Sequence, residues 1–182
     1  MVQNPWRITS TQTTQVDRFK ITLEEVILSN QKTKNFSYIH FRDGVCILPI
    51  TSNGEIIVLR QYRHALKAWE LELPAGMIDG NELPIDAAKR ELLEETGYQS
   101  NKWEELDYFY PSPGSTTETI HLFLAENAKY QLPPQLDELE KIEVMFLDLK
   151  EFQRLVEYGQ FRHGAGLACW AKYLNKQPDI NN

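Results

Sequence analysis

The chain has 182 residues and a mass of 21.2 kDa, which fits one domain with a small appendage and leaves no room for two full domains. Hydrophobic residues make up 42%, with 8 Phe, 8 Tyr and 4 Trp, so a real core is expected and a fibrous or wholly disordered chain is excluded. The 26 Asp+Glu against 19 Lys+Arg give a formal charge of −7 without a basic cluster, the wrong balance for a nucleic-acid binder. An anionic substrate would therefore have to be attracted by something other than net charge, and a bound divalent cation is the obvious means.

Cys46 and Cys169 stand far apart in sequence, each in an apolar or helical context, and read as two reduced, buried thiols of a cytoplasmic protein. The start, MVQNPWRITSTQTT, lacks the charged-then-apolar pattern of a signal peptide, and no apolar run reaches the length of a membrane span. No membrane partner is expected.

The first forty residues read as extended pieces, with strands at 19–28 (FKITLEEVIL) and 36–41 (FSYIHF). GVCILPI and EIIVLRQYR then flank Ser52-Asn53-Gly54, and Asn-Gly between two apolar runs predicts a hairpin. A further strand is expected at 69–73 (WELEL), stopped by Pro74. Pro84 suits a first helical turn and Gly97 the position just past a helix end, so the IDAAKRELLEET between them is read as helix. Strands resume at 103–110, 120–125 and 142–147, and helices close the chain at 149–158 and 166–174. Strands, a central helix, more strands and terminal helices predict an α/β sandwich around a mixed β-sheet.

The central helix is acidic on one side. Taking Glu91 as origin at about 100° per residue, Glu95 falls at roughly 40° and Glu94 at roughly −60°, bordering the apolar stripe of Ile85, Ala88 and Leu92. A solvated acidic face is one explanation. Against it, Glu91 and Glu95 repel at i,i+4 by a few tenths of a kcal/mol. All three also lie in the last turn or so, where the helix dipole disfavours an exposed anion by roughly 0.3–1 kcal/mol. Arg90 offsets part of this through Glu94. A hard divalent cation on the cluster explains the rest.

Gly76, Glu82 and the run Arg90-Glu91-Leu92-Leu93-Glu94-Glu95-Thr96-Gly97-Tyr98 resemble the Nudix box, G-x5-E-x7-R-E-U-x-E-E-x-G-U, over 23 residues with every fixed position met. Tyr98 stands where a smaller aliphatic residue is more usual and reads as a packing variation. RQYR at 60–63, WELELPAG at 69–76, SPG at 112–114 with Glu118, and LDELEKIEV at 136–144 are similar to the ADP-ribose pyrophosphatase branch, as is Pro113, placed fifteen residues after the box. The resemblance covers roughly residues 43–175. The SQPWPFPxS signature of NADH pyrophosphatases and the coenzyme A motif are absent.

The resemblance implies a Nudix-type α/β/α sandwich with an N-terminal antiparallel strand region, divided as strand region 1–42, hydrolase domain 43–176 and frayed tail 177–182. It implies Mg²⁺-dependent hydrolysis (Mn²⁺ being the alternative) of ADP-ribose or a related nucleoside diphosphate sugar to AMP and a sugar phosphate. GDP-mannose or another nucleotide sugar is the second reading, and a non-hydrolytic sensor module the third. Metal ligands would be Glu91, Glu94, Glu95, Glu140 and the carbonyl of Ala75, though without the box the Pro-Ala-Gly stretch reads as an ordinary turn. Glu91 and Glu95 would be catalytic as well. Glu138 is the expected base, by alignment on the following IEV, with a solvated charged loop as the other reading of both loop glutamates. Arg63, Met77, Ser112, Pro113, Gly114 and Glu118 would bind substrate, although a surface salt bridge (Arg63) or plain packing (Met77, Pro113) are the alternatives. Arg60 and Arg90 are read as structural, Arg90 by orienting the box glutamates, while His64, His121 and His163 carry no assignment. Related enzymes are homodimers whose N-terminal strands cross to the partner, and residues 6–41 are long and apolar enough for that.

Overall fold

Strand and helix propensities along the chain resolve, in a computed structural model describing residues 4–176, into eleven strands and three helices. The expected tail 177–182 lies outside the described residues. Two compact units result: residues up to Asp43 together with Ser112–Glu118, and Gly44–Pro111 with the chain from Thr119 on.

The first unit is an antiparallel sheet of β1 (Arg7–Val16), β2 (Phe19–Ile27) and β3 (Thr33–His40) in the order β1-β2-β3. Trp6, Phe36, Tyr38 and His40 form an aromatic row, with successive centroids 5.7, 6.2 and 5.1 Å apart. Ser112–Glu118 joins this sheet: the Ile39 amide donates to Ser115 O at 2.9 Å, and the Thr117 amide donates to Ile39 O at 3.1 Å. β1 is exposed along its whole length, which hides it from any reading based on apolar alternation.

The second unit is a mixed sheet in the order β11-β5-β4-β10-β8, with β6 on β5, β7 on β4 and β9 on β10. Its members are β4 (Gly44–Thr51), β5 (Ile56–Arg63), β6 (Ala68–Glu72), β7 (Ala75–Met77), β8 (Tyr98–Gln99), β9 (Lys102–Phe109), β10 (Ile120–Tyr130) and β11 (Ile142–Leu147). β4 and β10 are parallel neighbours at the centre, and β4 is buried on both faces, as a covered central strand must be. Val45 and Ile47 pack with Ala87, Ala88, Leu92, Phe123 and Ala125 under α1 (Pro84–Thr96). Cys46 and Leu48 face the opposite core, where Phe152 of α2 (Leu149–Glu157) and Cys169 and Trp170 of α3 (Gly164–Lys176) pack. The result is the expected α/β/α sandwich around a mixed sheet.

The Asn-Gly hairpin forms with a loop of Ser52 to Glu55. Gly54 has a φ of 82°, and its amide donates to Thr51 O at 3.0 Å. β10 runs five residues beyond the expected Ala125 because Asn127, at a φ of 55°, absorbs a bulge that carries the strand on to Ala128 and Tyr130. Both cysteines are free and buried. They lie side by side, and burial pushes the Cys46 thiol well up.

Candidate active site

The site is built where β6, β7 and α1 meet. Pro84 opens α1 without a side-chain cap, its fixed φ suiting a position whose amide would have no helical partner. Gly97 closes the helix at a φ of 76°, its amide returning to Leu93 O at 2.8 Å. A Cβ there would meet Leu132 O at 1.9 Å, so only glycine fits. The 131–141 loop is tied to this helix end: the Gln131 amide donates to Gly97 O at 2.9 Å and the Gln135 amide to Glu94 O at 2.7 Å. Its far end is held where the Tyr62 amide donates to Lys141 O at 3.0 Å.

The three box glutamates separate in depth. Glu95 is 3% exposed and accepts the Ala75 amide at 2.9 Å. Burial first, then the charge of Glu91, pushes its carboxyl well above the usual carboxylate range. Glu91 lies against Gly76, where an added Cβ would stand 2.1 Å from the carboxyl group, so the box glycine is the floor of this carboxylate. Burial raises its pKa too, reinforced by Glu94 and Glu140 and opposed by Arg90. Glu94 is half exposed.

Arg90 organises the group. It donates to both oxygens of Glu82 (3.1 and 3.0 Å), to Glu91 at 2.7 Å, to Glu94 at 3.1 Å and to Met77 O at 2.9 Å. Glu82, foremost among these partners, raises the guanidinium pKa, and Arg90 in turn lowers that of Glu82. The first box glutamate therefore works as the anchor of the box arginine, a role that reading along the helix alone could not assign.

Ladder alternation explains the place of Ala75. The Ile47 amide donates to Pro74 O at 2.9 Å, and Val45 and Cys46 then face Gly76 and Ala75. Hydrogen-bonded and non-hydrogen-bonded pairs alternate in an antiparallel ladder, so Ala75 falls in a non-bonded pair with Cys46. Both its amide and its carbonyl point away from β4, and the amide is taken by Glu95.

Among the described residues no three His, Cys, Asp or Glu side chains are already gathered about one point. The donor set still fits a hard divalent cation. It is all oxygen, Glu91 and Glu95 are held close enough to raise the pKa of Glu95 through their repulsion, and the Ala75 carbonyl is directed away from the sheet.

Arg63, at the end of β5, is gripped by Glu72 of β6 through Nε–Oε1 at 2.7 Å and Nη2–Oε2 at 2.5 Å. Glu72 is 5% exposed, so the pair is far more than a surface salt bridge, and the charges of Glu95 and Glu140 also reach Arg63. The two loop glutamates differ. Glu140 accepts the Asp137 amide at 2.9 Å and its charge acts on Glu91, Glu95 and Arg63, whereas Glu138 is exposed beside Leu139, itself 94% exposed. Met77 is exposed at the end of β7. Ser112, Pro113, Gly114 and Glu118 belong to the first unit. There Ser112 O accepts the Ser115 and Thr116 amides at 2.9 Å, and burial, then Asp43, raises the Glu118 carboxyl. Glu72 and His163 escaped the sequence reading. The one available signal was a glutamate alternating with leucines in WELEL, ahead of a proline.

An acidic helix end facing a bent Pro-Ala-Gly strand, with an arginine binding several of its carboxylates, makes an all-oxygen cluster of the kind that suits a hard divalent cation. Residues 40–165 match the NUDIX domain, and the chain belongs to the Nudix hydrolase family. It is 38% identical over 136 residues to an ADP-ribose pyrophosphatase of Bacillus subtilis (strain 168), covering 74% of each chain. It is 35% identical over 133 residues to a methanol dehydrogenase activator of Bacillus methanolicus, covering 72% of each. Its fold matches a crystal structure described as an ADP compounds hydrolase, with a TM-score of 0.85 at 22% identity over 96% of this chain and 95% of that one.

Proposed function

We propose that the protein hydrolyses the diphosphate bond of ADP-ribose, water adding across the P–O–P bridge to give AMP and ribose phosphate. The observation that carries this is buried Glu95 on the Ala75 amide with Glu91 over Gly76 close enough to raise its pKa, beside an arginine already held by a buried carboxylate. Likeness to a Bacillus subtilis ADP-ribose pyrophosphatase supports the choice of nucleotide.

Glu91, Glu94, Glu95 and the Ala75 carbonyl would hold the cation, Mg²⁺ being the natural ion for hard oxygen donors next to a diphosphate. When bound, it supplies charge neutralisation and Lewis acidity at phosphorus. The chain's own residues do the rest. Arg63 uses Nε and one proton of Nη2 on Glu72, which leaves Nη1 and the second Nη2 proton to donate to phosphate oxygens. Arg90 keeps Glu91 and Glu94 in place. Glu138 is kept as the base that takes the proton of the attacking water, and Glu140, whose charge reaches Glu91 and Glu95, as a further ligand of the cation. Met77, Ser112, Pro113, Gly114 and Glu118 are kept as substrate contacts on the resemblance alone. The exposed β1 edge and the exposed Trp6, Ile8 and Val16 support a homodimer, and the two free thiols support a reducing, cytoplasmic location.

The test is product release from ADP-ribose, GDP-mannose, ADP-glucose, UDP-glucose and NADH with Mg²⁺, with EDTA as control. EDTA-sensitive conversion of ADP-ribose to AMP is expected. Preference for GDP-mannose would move the nucleotide assignment, and tight ADP-ribose binding without turnover would replace the hydrolase by a sensor.

A further inference from the structure

One largely covered imidazole lies outside the roles assigned so far. His163 immediately precedes α3, yet its Nδ1 lies 3.2 Å from the Leu73 amide at the end of β6, ninety residues away in sequence. A backbone amide can only donate, so Nδ1 is the acceptor and the imidazole proton sits on Nε2. Nε2 faces the Glu72 carboxylate, 3.7 Å from Oε2. Burial pushes the pKa of His163 down, keeping the ring neutral, as this tautomer requires. The ring is itself wedged: an added Cβ on Gly166 would stand 2.6 Å from the Phe161 ring and 3.1 Å from His163 Nδ1.

The neighbours of this contact are all engaged. Glu72 holds Arg63 through two bonds, Leu73 is held by His163, Pro74 O by Ile47, and the Ala75 amide by Glu95. One group of each residue from Glu72 to Ala75 is thus fixed from a different element. Arg63, Glu72, His163 and Arg162 share the wall of one cleft of about 660 Å³, so the clamp stands behind a surface open to ligand.

We propose that His163 is a positioning residue: by holding the Leu73 amide and standing against Glu72, it fixes the direction in which Arg63 meets the substrate diphosphate. The inference rests on the ADP-ribose reading above. It predicts that loss of the acceptor raises KM and leaves the chemical step nearly untouched.

Three enzymes decide it: wild type, His163→Leu, which fills the space without an acceptor, and His163→Asn, whose amide oxygen can replace Nδ1. With ADP-ribose and Mg²⁺, His163→Leu is expected to raise KM about tenfold or more, the usual cost of losing a supporting contact behind a binding residue. Its kcat should stay within about threefold, and His163→Asn should recover most of the KM. In an Arg63→Ala background the His163→Leu effect should largely vanish, because the two act through one another. Calorimetric binding of ADP-ribose in EDTA should follow the same order without turnover. This keeps the outcomes apart: a silent wild type in the kinetic assay overturns the substrate reading, while the EDTA affinities still judge His163. Nitrogen-15 NMR of labelled histidine should show Nδ1 as the unprotonated nitrogen of His163 in the wild type, whatever the fate of the variants. A protonated Nδ1, equal losses in His163→Leu and His163→Asn, or full additivity with Arg63→Ala would each overturn the proposal.

Discussion

Gly76→Ala is the sharpest perturbation the site offers, because its effect falls on one carboxylate. The new methyl carbon would stand 2.1 Å from Glu91 Cδ and Oε1 and 2.4 Å from Oε2. Ordinary van der Waals contact begins near 3.4 Å, so the carboxylate must retreat by about 1.3 Å, the difference between 3.4 and 2.1 Å. Every atom in the way is the far end of a flexible side chain, so the sheet and helix can stay where they are. Glu91, however, cannot keep both its 2.7 Å bond to Arg90 and its place over Gly76. Misplacing a catalytic group by about 1 Å costs roughly 100-fold in rate. The expected result is an AMP-release rate from ADP-ribose down by about that factor, with a thermal midpoint shifted by no more than roughly 4 °C, the equivalent of about 1 kcal/mol in a domain of this size. A Gly76→Ala enzyme retaining kcat/KM within about threefold would show that Glu91 need not stand where the structure puts it.

Glu95→Gln should abolish turnover while leaving the fold intact. Because the folded-state pKa of Glu95 is raised, the folded form holds this proton more tightly than the unfolded chain. The metal-free protein should therefore lose stability as pH rises from about 4.5 through the raised value, and Glu95→Gln should flatten that loss. Thermal midpoints in EDTA across pH 4–8 check the sign, and added Mg²⁺ should raise them more at the alkaline end. A wild type that gains stability over this window would contradict the burial account. Glu138→Gln should lower kcat far more than Glu140→Gln in steady-state kinetics, and the reverse order would move the base to Glu140. Gly97→Ala forces a side chain into a left-handed position and into Leu132 O, so calorimetry should record a loss above about 2 kcal/mol, or roughly 4–8 °C.

The legible parts of this fold are those in which local chemistry and tertiary role coincide. Pro84 and Gly97 bracket α1 to the residue, and the near-continuous apolar runs of β4 and β5 follow from burial on both faces. β7 and β8, at three and two residues, carry too little pattern to announce themselves, and their pairing depends on partners far along the chain. Within the site, the box spacing reveals Glu91, Glu94 and Glu95 together. It does not reveal that Glu95 would be buried and Glu94 half exposed, because that depends on the depth of α1 against β7. Glu72 and His163 were hidden for the same reason: an ion pair across two strands and a clamp across ninety residues leave no periodic trace.

The 131–141 loop is fastened at Gln131 and Gln135 to the end of the box helix and at Lys141 to β5, leaving Leu136 to Glu140 as the longest stretch between these anchors. Those five positions hold both loop glutamates and close on themselves, the Glu140 amide donating to Asp137 O and the Asp137 amide to Glu140 Oε2. Lengthening or shortening it would shift an acidic side chain at the cost of the Asp137–Glu140 turn alone, whereas a change of length outside it must break a bond to Gly97, Glu94 or Tyr62. Variation among descendants of this scaffold can thus alter where the acid sits while the cation-binding helix stays constant.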